Sequence, residues 1–191
     1  MTVMGIPIVV IVIISVVLLL LIYVISIYNT CTRAQNKVKS QWAQIDVQLT
    51  RRAELIPNLV ESVKGAMQHE RGTLQDVMEA RNKFHTARSQ GAESEMKANE
   101  ALASSLNRLI AVAESYPTLQ ANQNFIIMKQ ELSNTENKIS HARMFYNETV
   151  LKFNNLIQVF PTNIFAGMLG FKEQALFEAD AGERVAPKVS F

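Results

Sequence analysis

Residues 6–27 read IPIVVIVIISVVLLLLIYVISI, with no charged side chain and only Pro7, Ser15 and Ser26 interrupting Ile, Val, Leu and Tyr. As a helix rising 1.5 Å per residue, these 22 residues reach about 33 Å, enough to cross a hydrocarbon core of about 30 Å. No other stretch of the chain resembles it. The run predicts a single membrane span, with the rest of the chain on one side of the bilayer.

A cleaved signal peptide would need a basic leader, a shorter apolar stretch and a small-residue cleavage site. No Lys or Arg precedes the run, and Tyr28-Asn29-Thr30-Cys31 follows it. Asn29-Thr30 also does not suit a lipoprotein signal, so the reading is an uncleaved anchor. After the run come Arg33, Lys37 and Lys39, then Arg51 and Arg52, against no cation before it. The positive-inside rule therefore predicts the N-terminus outside and the body in the cytoplasm. Tyr23 and Tyr28 lie toward the basic end, where an aromatic belt is expected.

The remaining length of about 160 residues suffices for one domain with its own core. A net charge of +2 gives no electrostatic case for nucleic acid, and the cations beside the span suit anionic lipid. Cys31 is the only cysteine, which excludes an internal disulfide and a cysteine-based metal site. Its place beside the membrane permits lipidation; the plainer reading is an inert thiol.

Outward from the span, apolar residues fall at heptad spacing: Val38, Trp42, Ile45, Leu49, then Ile56, Leu59 and Val63, with Arg52 at the position between. That pattern is one face of a helix. Only about ten residues, without Gly or Pro, separate Ile27 from Val38, so the span is expected to continue as helix toward this face. Pro57 is a candidate junction, because an interior proline removes one helical hydrogen bond. Either the helix kinks there or a new one begins. A second series runs Val60, Val63, Met67, Glu70, Leu74, Val77, Arg81, Phe84, followed by a connection near Ser89 to Gly91. A third helix is expected from about Ser94 to Glu114, with Leu102, Leu106, Leu109 and Ala113 on one face and Tyr116-Pro117 as its end. The fourth, starting near Thr118, carries Phe125, Lys129, Leu132, Glu136, Ile139, Arg143, Tyr146, Val150, Phe153, Ile157 and Phe160 until Pro161 stops it.

No segment alternates as a strand does. The expected fold is all-α: an N-terminal transmembrane helix, an antiparallel bundle of about four long helices, and a mostly irregular apolar C-terminal tail. The corresponding divisions are residues 1–32, 33–160 and 161–191. The tail is too apolar for disorder. Ile164, Phe165, Phe171 and Phe177 are its candidate docking residues, on the bundle, the membrane surface or a neighbouring subunit.

Arg52, Glu70, Arg81, Glu136 and Arg143 fall at seam positions. Two readings stand side by side. They form interhelical polar contacts that set which helices meet and in what register, or helical drift leaves them at the edge of the face in water. Among the asparagines, Asn122 and Asn124 stand near a helix start and suit local backbone bonds.

Catalytic patterns are sparse. His69-Glu70 opens like a metalloprotease helix, but position 73 is Thr where the second ligand should stand. There is no serine elbow, phosphate loop or dinucleotide turn. The expectations are no catalytic residue, no metal and no cofactor.

Residues 42–64, WAQIDVQLTRRAELIPNLVESVK, resemble the signature of the LemA family of bacterial membrane-anchored helical proteins. His69-Glu70, Tyr116-Pro117, Asn122 to Phe125, Thr135-Glu136, Ile139 to Arg143, Tyr146-Asn147, Phe160 to Ile164, Gly170-Phe171 and Phe177-Glu178 continue the pattern in order. Family members often carry a large apolar pair after the Tyr-Asn that follows the span; here Tyr28-Asn29 leads into Thr30-Cys31. The resemblance implies a helical bundle behind a span and carries over no catalytic residue. It also associates the chain with membrane metalloproteases and envelope maintenance. The expected function is a non-enzymatic scaffold in contact with membrane lipid, assembling as a homo-oligomer. The alternative is an adaptor or regulator of a membrane protease or another envelope protein.

Overall fold

The computed structural model describes residues 5–177, with side chains from residue 9 onward. Among these residues every regular element is an α-helix. They are α1 (Gly5–Lys64), α2 (Arg71–Arg88), α3 (Ala92–Ala113), the single turn α4 (Pro117–Gln120), α5 (Gln123–Gln158) and α6 (Thr162–Met168). The described residues divide into two compact units. One holds the chain through Ser40 together with Asn147–Leu176; the other holds Gln41–Tyr146 together with Phe177. Two of the three dividing points, after Ser40 and after Tyr146, fall inside helices, so α1 and α5 each contribute to both units.

The Gln41–Tyr146 unit is a four-helix bundle. Arg88 and Arg81 of α2 meet Asp46 and Ala53 of α1, in reversed chain order. Arg108 of α3 meets Asp76 of α2 at 3.4 Å, while Glu95 lies beside Arg88. On α5, Tyr146, Glu136 and the preceding Asn122 meet Trp42, Arg52 and Ser62 in turn. Neighbours are therefore antiparallel, the arrangement short connections favour. The heptad series faces inward: Ile45, Leu49, Ile56, Leu59, Val63, Val77, Phe84, Leu102, Leu109 and Ile139 are all fully buried.

In the other unit, Ile27, Cys31 and Val38 of α1 are buried with Val150, Phe153 and Ile157 of α5 and Ala166 of α6. The Asn154 side chain acts like a peptide group toward the tail. Its Nδ2 donates to the Gln174 carbonyl and its Oδ1 accepts from the Gln174 N–H, both at 2.9 Å. Phe165 packs edge-on against Tyr23, with centroids 6.2 Å apart, and Phe171 lies 6.0 Å from Tyr28. The most apolar stretch of α1, at mean hydropathy 3.3, is left almost uncovered by protein.

Several boundaries differ from the expectation. No new helix begins at Pro57; α1 runs through it. The break falls instead at Gly65–Glu70, where Val63 O accepts from both Ala66 and Met67 N–H and closes the helix in a turn. Met67 stays buried inside that turn, which is why the apolar series passes across it without interruption. The fourth helix begins at Gln123, not Thr118, because Pro117 at a first-turn position starts a separate turn. Asn122 Oδ1 then accepts from the Asn124 and Phe125 N–H groups, capping α5. Phe160 lies beyond the end of α5 and is exposed. Within the described part of the tail, residues 161–177, α6 is a short helix and the rest is irregular; residues 178–191 lie outside the described residues.

Candidate functional site

The residues worth testing as a site lie inside the bundle, in two polar layers one helical turn apart. On α3 the buried face runs Glu95, Asn99, Leu102, Leu106, Leu109, Ala113, in alternating steps of four and three. Glu95 and Asn99 thus occupy core positions of the same stripe as the leucines. Extending the leucine series backward by one heptad would have found them; the polar identity of both residues hid them.

The first layer centres on Arg52, 2% exposed. Its guanidinium donates to Glu136 of α5 and to Asn99 Oδ1 of α3. One α1 arginine therefore ties three helices together. The geometry is a charge-assisted fork, the strongest kind of side-chain hydrogen bond. Asn99 is fully buried and its Nδ2 has no partner among the described residues.

The second layer is acidic. Arg88 grips Asp46 with two bonds, 2.7 and 2.8 Å long. Glu95 is 2% exposed and hydrogen-bonds to Asp46. Burial, then the charge of Asp46, pushes the Glu95 carboxyl up to about 7. Arg88 holds Asp46 below its ordinary value, with Glu95 donating to it as well. Two neighbouring carboxyls resist ionising together, so below about pH 7 the proton stays on Glu95 while Asp46 is ionised.

The other seam residues divide. Arg81 Nε donates to the Ala53 carbonyl at 2.9 Å. Ala53 is four residues before Pro57, so it is the carbonyl that proline leaves without its helical N–H. Arg81 supplies from α2 the donor that α1 lacks, and this explains how the helix continues through Pro57. Glu70, in the turn before α2, accepts from the Tyr116 hydroxyl at 3.3 Å. Arg143 is buried, with its guanidinium 4.2 Å from the centre of the Phe177 ring, which also stacks on Trp42. Lys129, by contrast, is half in water and pairs with Glu114. Of the tail residues, Phe165, Phe171 and Phe177 have ring partners, whereas Ile164 faces outward.

A groove of ≈ 490 Å³ opens beside the first layer, lined by Arg52, Leu106, Asn107, Lys129, Leu132 and Glu136. Among the described residues no three His, Cys, Asp or Glu side chains converge as a metal site would require. The chemistry of the two layers is that of interhelical fasteners, one of them proton-dependent.

An all-α bundle joined to one long apolar helix, with polar residues spent on holding helices together, defines a class of membrane-associated helical proteins. The chain belongs to the LemA family, whose profile matches residues 41–191. It is 27% identical over 157 residues to Protein LemA of Metamycoplasma hominis, covering 82% of this chain and 71% of that one. It is also 33% identical over 94 residues to Magnetosome protein MamQ 2 of Paramagnetospirillum magneticum, covering 49% of this chain and 35% of that one. Magnetosome protein MamQ of Magnetospirillum gryphiswaldense matches at 33% over 79 residues, 41% of this chain and 29% of the relative. None of these names carries an enzymatic activity.

Proposed function

We propose that this protein is a non-enzymatic scaffold, anchored in the bacterial inner membrane and self-assembling there in envelope maintenance. The observation that carries the reading is how the bundle uses its polar interior. Arg52, Asn99, Glu136, Asp46, Arg88 and Glu95 bind one another, in a pattern that fixes helix register and offers no reacting group. On the outward faces, Val47, Ile126, Ile127 and Met144 are exposed apolar residues open to weak contacts. Anchoring raises the local concentration of copies and strengthens such contacts. The test is particle mass of the detergent-solubilised full chain by mass photometry. A defined multiple of the protomer mass supports the scaffold, and a strict monomer overturns it.

The orientation proposed is N-terminus outside and bundle in the cytoplasm, on the strength of Arg33, Lys37 and Lys39 beyond the span. A membrane-impermeant thiol reagent applied to intact cells should leave a Lys83→Cys, Cys31→Ala variant unlabelled until the cells are opened. Labelling in intact cells would reverse the assignment.

A further inference from the structure

The anchor unit carries a second apolar surface that the span does not account for. Residues 153–171, FNNLIQVFPTNIFAGMLGF, hold no ionisable side chain and are bounded by Lys152 and Lys172. They comprise the last turns of α5, the turn at Pro161, and α6 with its exit at Gly170. A seven-residue helix does not hold itself together in water. This one is fastened from three sides. Ala166 is buried, Phe165 packs on Tyr23, and beyond it Phe171 packs on Tyr28 while Gln174 is tied to Asn154.

The fastening leaves the large apolar residues facing out. Phe160 is 79% exposed and Met168 82%, with Val159, Ile164 and Leu169 also exposed. Their level on α1 is given by the ring contacts: Tyr23 lies inside the charge-free run and Tyr28 immediately after it. The exposed patch therefore lies at the level of the exposed span residues Leu20, Leu21, Ile22 and Ile25.

Resting on the reading of α1 as a membrane span, we infer that the α5–α6 turn and α6 form a second lipid contact, a foot immersed at the boundary between headgroups and acyl chains. The occupant of this patch is lipid, because the patch is level with the end of the helix that lipid surrounds, on which α6 packs. Its depth is shallow. The turn carries backbone groups that hydrocarbon cannot satisfy, and water and headgroups at the boundary can. Lys172 re-enters the polar phase just past α6.

The test places an environment-sensitive thiol fluorophore at Phe160→Cys, Ile164→Cys or Met168→Cys of the full chain in a Cys31→Ala background, reconstituted in phospholipid vesicles. Leu18→Cys reports the span and Lys83→Cys the bundle surface. The foot predicts blue-shifted emission at the three sites. It also predicts quenching there about twofold stronger by a lipid nitroxide near the headgroup than by one at mid-chain, with the reverse at Leu18. Quenching of the three sites by aqueous iodide, as at Lys83, while Leu18 remains lipid-quenched, overturns the foot and leaves the anchor. Shielding from both quenchers overturns it in favour of cover by another protein copy. Loss of lipid quenching at Leu18 overturns the anchor itself, and the foot with it. The three substitutions back one another if one disturbs folding, as read by circular dichroism.

Discussion

Arg81 is the residue whose role is least visible in isolation. In the chain it is a cation at a seam position; in the fold it is the missing hydrogen-bond donor of α1. Removing it should leave the carbonyl of buried Ala53 without a partner and cost about 1–3 kcal/mol. The cost should shrink when Pro57→Ala restores the helical N–H. Urea unfolding of the four proteins in a double-mutant cycle measures that coupling, and equal costs of Arg81→Ala in both backgrounds would reject the account. Glu95 gives a second residue-scale prediction. Its carboxyl sits at about 7 in the fold against an ordinary 4.5, so within that window the folded chain holds a proton that the unfolded chain has released. Stability should therefore fall as pH rises from 4.5 toward 7, by up to about 1.4 kcal/mol per unit. Asp46 acts in the opposite sense: held ionised, it contributes stability that is lost only as pH falls below its ordinary 3.8. Glu95→Gln should flatten the curve between about pH 5 and about pH 8 and be the more stable protein at the upper end. Parallel curves for parent and variant would show that Glu95 does not keep its proton.

At the scale of elements, most of the helices and their buried faces could be read from spacing. Val38, Ile45, Leu49 and Ile56 on α1, and Leu132, Ile139, Val150 and Phe153 on α5, are all buried as their heptads predict. What spacing missed were breaks and caps. The series from Val60 to Phe84 crosses a turn because periodicity counts residues, whereas helix ends depend on single backbone positions. Gly91 illustrates the point. It precedes α3 with φ of +107°, in the region that side-chain-bearing residues avoid, and no atom lies within 4 Å of where a Cβ would stand. Gly91→Ala should therefore destabilise by conformation alone, about 1 kcal/mol, with no packing defect. A lowered unfolding midpoint with unchanged helix content by circular dichroism is the expected result. The polar layer was half legible. Arg52 and Glu136 were visible as seam charges, but Glu95 and Asn99 needed the register of α3 extended through polar residues. Arg88 and Asp46 stand on no apolar series and become partners only when α1 and α2 lie side by side.

For the molecule as a whole, the reading of the 6–27 run as a span makes a direct claim on membrane partition. Leu18→Arg places a charge near the middle of that run and should cost about 3 kcal/mol of insertion. The share of protein resisting alkaline carbonate extraction should fall, whereas an unchanged share would mean that something other than the run holds the chain to the membrane. The sequence alone determined the all-α class, the apolar N-terminal helix, the inward faces of the long helices and the family resemblance. These follow from local properties, namely residue spacing, charge and helix-breaking residues, which need no knowledge of distant neighbours. Only the tertiary structure decided that Arg81 completes the helix Pro57 interrupts, that Glu95 is buried beside Asp46, and that α6 packs on Tyr23 with Met168 and Phe160 turned outward. The physical reason is common to all three. A buried hydrogen bond, a shifted carboxyl and an exposed apolar face are each set by groups far away in the chain, and only folding brings those groups together.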